Sequence, residues 1–90
     1  MADRRVRVVV SGFVQAVGFR ATARARARSL GVAGWVRNNQ DGTVEAELEG
    51  PAERVDSLVD WCRHGPRGAH VDAVHVELLE PTGEQGFSIR

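Results

Sequence analysis

Nine residues, Gly12 to Arg20 with the sequence GFVQAVGFR, form the first pattern that could do chemistry. They fall between the end of a strand pattern and the start of a helical one. A turn there exposes successive backbone N–H groups, and the helix start adds its partial positive charge. Together these make a concave nest suited to a tetrahedral anion. Arg20 stands where its guanidinium fork can reach back and grip two phosphate oxygens. The segment reads equally as a tight strand–helix connection with a solvated arginine, because helix N-termini bind anions opportunistically.

A second candidate is Asn38, within Gly34–Gly50, GWVRNNQDGTVEAELEG. It ends a strand pattern just before a hairpin signal. Its side-chain amide can accept and donate at once, and so could hold a water molecule. Taken alone, an asparagine that tolerates a left-handed turn is the simpler account of it. Only a particular chain topology would bring Asn38 to the Gly12–Arg20 loop.

That topology follows from the pattern of elements. Residues 4–12 alternate, with Val6, Val8 and Val10 directed to a core and Arg5, Arg7 and Val9 the other way. Over 20–30 the spacing of Phe19, Ala23, Ala27 and Leu30 predicts a helix that Gly31 stops. Arg20, Arg24 and Arg28 form an i,i+4 row on it, mildly repulsive and offset by the helix propensity of Ala and Arg. Residues 32–38 read as a strand, NQDG at 39–42 as a hairpin turn, and TVEAELE at 43–49 as its partner. There Val44, Ala46 and Leu48 point in, and Glu45, Glu47 and Glu49 point out. Gly50-Pro51 opens a second helix, whose apolar stripe is Val55, Leu58, Val59 and Cys62. Strands at 71–79, with Val74, Val76 and Leu78 on one face, and at 86–90 complete the chain.

The order β-α-β-β-α-β plus a terminal strand predicts an α+β, ferredoxin-like split βαβ fold: an antiparallel sheet with two helices on one face. In that layout the first two strands run parallel with the third between them. Their C-terminal ends share one sheet edge, which places Asn38 near the loop.

Composition narrows the chemistry further. The 90 residues make one small domain, 1–90. All twelve basic side chains are arginine and there is no tyrosine, which removes lysine Schiff bases and the lysine of a Walker A loop. A single cysteine, Cys62, excludes an internal disulfide and fits a small buried hydrophobe in a reducing compartment. His64, His70 and His75 lack metal-ligand spacing. No apolar run approaches the ~18 residues of a membrane span, and no charged-then-apolar leader is visible. The expectation is a cytoplasmic protein without membrane association. The zero net charge hides a split: residues 1–37 carry eight arginines against one acid, and the remainder four arginines against eleven acids.

The two segments resemble the paired signatures of the acylphosphatases, G-x-V-Q-G-V-x-F-R and G-W-V-x-N-x-x-x-G-x-V-x-x-x-x-x-G. They stand here as Gly12-Phe-Val-Gln-Ala-Val-Gly-Phe-Arg20 and as Gly34-Trp-Val-Arg-Asn38 through Gly42, Val44 and Gly50. The likeness covers essentially the whole chain. It implies hydrolysis of acyl phosphates to a carboxylate and inorganic phosphate, with no metal and no cofactor. Residue by residue, it implies that Arg20 binds phosphate and that Asn38 positions the attacking water. It also implies that Gln15, Ala16, Val17, Gly18, Phe19 and Arg20 form the phosphate-binding loop. The implied partner is a small acyl phosphate; neither nucleic acid nor membrane is expected as a partner, and a monomer is expected although the sequence holds no direct signal of oligomeric state. One departure stands out: Ala16 occupies a place where the family usually has glycine. If that position needs a positive φ, alanine costs roughly 1 kcal/mol or more and narrows the nest.

Such chemistry asks for few residues. The leaving carboxylate has a conjugate acid of pKa about 4, so no general acid is needed. The phosphoryl transition state is governed mainly by charge and alignment.

Rival readings are an RNA-binding module of the same superfold and a catalytically weak domain that binds carbamoyl phosphate or a protein. The first needs aromatics on the open sheet face, where the third strand instead offers Glu45, Glu47 and Glu49. Gly31-Val-Ala-Gly34 matches GxxG, a weak signal. The second rests on Ala16 alone. Arg4, Arg5, Arg7, Arg24, Arg26 and Arg28 are expected to add a diffuse field that draws in anions, with the acidic half as solvated surface.

Overall fold

A computed structural model describes residues 3–90, so the first two residues of the expected 1–90 domain lie outside the described part. The elements are β1 (Asp3–Phe13), α1 (Phe19–Leu30), β2 (Ala33–Asn38), β3 (Val44–Pro51), α2 (Ala52–Cys62), β4 (His70–Leu79) and β5 (Phe87–Ile89). They form one five-stranded sheet in the order β4-β1-β3-β2-β5. The first two strands are parallel with the third between them, as the split βαβ reading requires.

Alternation along the strands decides which side chains meet the helices. Val6, Val8 and Val10 of β1, Val36 of β2, and Val44, Ala46 and Leu48 of β3 are all buried. Phe19, Ala23 and Ala27 of α1 close over them, with Val55, Leu58, Val59 and Cys62 of α2. Gly31 ends α1 in the left-handed region, and the next amide, Val32 N, donates to Ala27 O at 2.8 Å. Burial pushes the Cys62 thiol up to about 12, in keeping with a packing role. Among the described residues, no helix is long and apolar enough to cross a membrane.

Three features differ from the sequence expectation. The sheet is mixed, because β5 pairs parallel with β2. β4 is antiparallel to β1 and ends beside the start of β1, with Leu79 opposite Arg5. A chain that leaves from that end and crosses to the far edge must then run parallel to β2. Second, Val76 and Leu78 share the helix-side face of β4 but are exposed, because β4 is an edge strand that the helices barely cover.

Third, Arg5 and Glu49 are not solvated: each is only 4% exposed. They are register partners on the open face, and the 80–86 crossing covers them. Arg5 pairs with Glu47 (2.8 Å), Glu49 (2.8 Å) and Glu84 (2.9 Å). Glu49 also accepts from Thr82 N (2.8 Å) and Gly83 N (2.7 Å), which fixes the crossing that leads into β5. Burial alone would raise the Glu49 carboxyl, but the bonds from Thr82, Arg5 and Gly83 outweigh it and hold it below the usual carboxylate range.

Candidate active site

The loop between β1 and α1 is strapped to the core by Val14 and Phe19, both buried, and by Val17, which packs against the same cluster. Between these anchors Ala16 and Gly18 face outward. Both adopt positive φ, 63° at Ala16 and 77° at Gly18, and Ala16 is the one non-glycine to do so among the described residues. Residues in the left-handed region redirect the neighbouring peptide planes, which is how consecutive amides come to line a concavity. The helix's first main-chain bond runs from Thr22 N to Gly18 O at 3.1 Å, and the N–H groups of residues 15–20 find no acceptor among the described residues.

Gln15 plays a part that its loop position did not reveal. Its Nε2 donates to Asn39 O (2.7 Å) and Thr43 O (3.0 Å), tying the loop to the base of the β2–β3 hairpin. Asn38, the last residue of β2, is thereby held against the loop. The Asn38 Oδ1 is buried and accepts no hydrogen bond among the described residues. Native proteins rarely leave such an acceptor without a donor, and each instance calls for an explanation.

Arg20 and Asn38 meet in one cleft of about 230 Å³. Ala16, Gly18 and Phe19 line its loop side, and Val14 and Ala21 also border it. Ile89 of β5 supplies an apolar wall that sequence reasoning missed, since nothing in the terminal pattern signals parallel pairing with β2. Gln15 and Val17 support the loop from outside the cleft. A wider groove, about 590 Å³, runs between α2 and β4, bordered by Val59, Val76 and Leu78 and by the paired Arg4 and Asp56. It contains no residue of the loop.

Charge is distributed more sharply than the basic half of the sequence suggested. Arg4, Arg5 and Arg7 pair with acids of α2, β3 and β4, and Arg37 pairs with Glu45 at 3.1 Å. They contribute little free field, contrary to expectation for the β1 arginines. Among the described residues, Arg20, Arg24, Arg26 and Arg28 form no ion pair, and α1 contains no acid. Uncompensated positive charge is thus concentrated on α1, whose N-terminus opens on the cleft. On the open sheet face Trp35 is buried beneath Arg37 and Arg90, with guanidinium-to-ring distances of 5.2 and 4.8 Å. Among the described residues, no three of His, Cys, Asp and Glu converge as metal ligands would.

A cleft with amides, one arginine and one buried acceptor can hold a phosphoryl group and orient a water toward it. The chain as a whole is similar to known proteins of one family. A model of the acylphosphatase family matches residues 6–89. An acylphosphatase of Anaeromyxobacter dehalogenans is 56% identical over 92 residues, covering 100% of this chain and 99% of the relative. Among solved structures, an acylphosphatase from Coxiella burnetii superposes with a TM-score of 0.94 at 34% identity, covering 98% of this chain and 93% of that one. An acylphosphatase from Bacillus subtilis gives 0.93 at 35% identity, covering 97% and 98%.

Proposed function

The chain belongs to the acylphosphatase family and is a hydrolase of that kind, and from this premise we propose how its residues divide the work. The amides of residues 15–20, together with the Arg20 guanidinium, hold the phosphoryl oxygens. Asn38 aims the water. The observation that supports this reading is that Asn38, whose Oδ1 has no hydrogen-bond partner among the described residues, borders the same cleft as Arg20.

The step balances without further groups. The oxygen of water attacks phosphorus, the P–O bond to the acyl oxygen breaks, and the electron pair leaves with the carboxylate. The water's protons pass to the phosphate product and to solvent. A carboxylate of pKa about 4 needs no protonation to depart. Asn38 Oδ1 accepts one proton of the water in a hydrogen bond and sets its line of approach. An amide is too weak a base to remove that proton, so its effect is alignment. Charge that spreads onto the equatorial phosphoryl oxygens meets donors already in place, the amides and Arg20, which require no reorganisation.

Wild-type protein is expected to turn over benzoyl phosphate, and Arg20→Ala to lower kcat/KM by roughly 10²-fold or more, the scale of losing one preorganised donor. Wild-type turnover by Arg20→Ala would overturn the assignment.

A further inference from the structure

The arginine row on α1 extends beyond the residue assigned to the phosphoryl group, and its direction is fixed at both ends. Arg20 and Ile89 border the same cleft. Two turns on, Arg28 Nη2 donates to Phe87 O at 3.3 Å. The row Arg20, Arg24, Arg28 therefore runs along β5, from Ile89 back to Phe87. Arg24, between them, sits one turn from Arg20, about 6 Å further along the helix and just outside the residues that border the cleft.

Arg24 is half-buried, and among the described residues it has no ion-pair partner. The arginines of β1 all pair with acids. No acid borders the cleft either. A guanidinium kept free one turn from the arginine assigned to the phosphoryl group, on the helix face that runs along β5, has the placement of a second anion subsite.

We propose that Arg24 is a specificity-determining residue that binds a second anionic group on the acyl portion of the substrate, a carboxylate or a phosphate. This rests on the assignment of Arg20 to the phosphoryl group. The phosphoryl end enters the loop, the acyl chain passes Ile89, and a terminal anion reaches the Arg24 guanidinium. The substrate class so favoured is acyl phosphates with a second negative charge a few bonds beyond the carbonyl. Arg26, on the same helix, faces away: its guanidinium lies over the Trp61 ring of α2 at 5.3 Å.

The test compares kcat/KM for benzoyl phosphate with that for 4-carboxybenzoyl phosphate and its 4-phosphono counterpart. The two charged probes read a carboxylate and a phosphate-like group separately. Wild type is expected to favour at least one charged probe, and Arg24→Gln to lower that preference about three- to tenfold, the range for an exposed charge-assisted contact. Arg24→Lys is expected to keep part of the preference, and rising salt to erode it. Arg26→Gln removes the same charge from the other face and is expected to leave the ratio at its wild-type value. Benzoyl phosphate in the denominator absorbs any general loss of folded enzyme. An unchanged ratio in Arg24→Gln, or an equal fall in Arg26→Gln, would overturn the subsite. Failure of wild type to hydrolyse benzoyl phosphate would instead overturn the site assignment beneath it.

Discussion

Replacing Ala16 by glycine removes one methyl group from the loop between β1 and α1, and the structure sets the sign of the result. Ala16 sits at φ 63°, where an L-residue pays about 1–2 kcal/mol for its Cβ. Glycine relieves that cost but raises the conformational freedom of the unfolded chain, a penalty of about 0.5–1 kcal/mol. The methyl is exposed, so little apolar burial is lost. The net expectation is that Ala16→Gly is more stable by about 0.5–1 kcal/mol. For a domain of this size that raises Tm by roughly 2–8 °C. Thermal unfolding followed by circular dichroism measures it directly. Because alanine already holds the left-handed conformation, the loop amides keep their directions in both proteins. The turnover of benzoyl phosphate is accordingly expected to stay within about twofold, or ~0.4 kcal/mol of barrier. A lower Tm in Ala16→Gly would refute the claim that the loop stores strain at this residue. A large gain in turnover would show instead that the methyl obstructs the nest.

Two further perturbations test how the scaffold holds the site. Glu49 is held below its ordinary carboxylate range in the folded state, so its stabilisation is fully present above the unfolded value of about 4.3 and lost as pH falls through the folded value. Denaturant titrations are expected to show stability falling below about pH 4.5 in wild type, with Glu49→Gln less stable by about 3 kcal/mol at neutral pH and flatter across the acid range. An equally steep acid profile in the variant would assign the sensitivity to other groups. Gly34→Ala tests the close approach of β2 and β3: a Cβ on Gly34 would lie 1.8 Å from Glu47 O, and φ there is 136°. Since only backbone movement could relieve that contact, the variant is expected to be unfolded by circular dichroism, and a native spectrum would contradict the register.

What could be read from the residues, and what could not, divides along physical lines. The loop and Asn38 could be placed together in advance because the element order leaves the split βαβ layout few alternatives, and in that layout the first two strands end at one sheet edge. The buried faces of β1, β3 and α2 follow from spacing alone. Arg5 and Glu49 were misread as solvated because alternation shows only which face a side chain takes, not what later crosses that face. The same limit hid Ile89, whose place in the cleft depends on a three-residue strand pairing parallel to β2. For β4 the spacing of Val74, Val76 and Leu78 defines a face, but the exposure of Val76 and Leu78 follows from edge position, a property of the whole sheet. The charge split of the sequence was real, yet its effective part is narrower: pairing neutralises the arginines of β1 and leaves those of α1 free.

The central claim is a division of labour, in which the loop and Arg20 bind the phosphoryl group while Asn38 only orients water. Steady-state hydrolysis of benzoyl phosphate by Asn38→Ala, with inorganic phosphate as competitive inhibitor, tests it most directly. The account predicts that kcat falls by roughly 10²-fold or more, the scale of lost alignment, while the phosphate inhibition constant stays close to that of wild type. Undiminished kcat in Asn38→Ala, or loss of phosphate inhibition together with kcat, would contradict it.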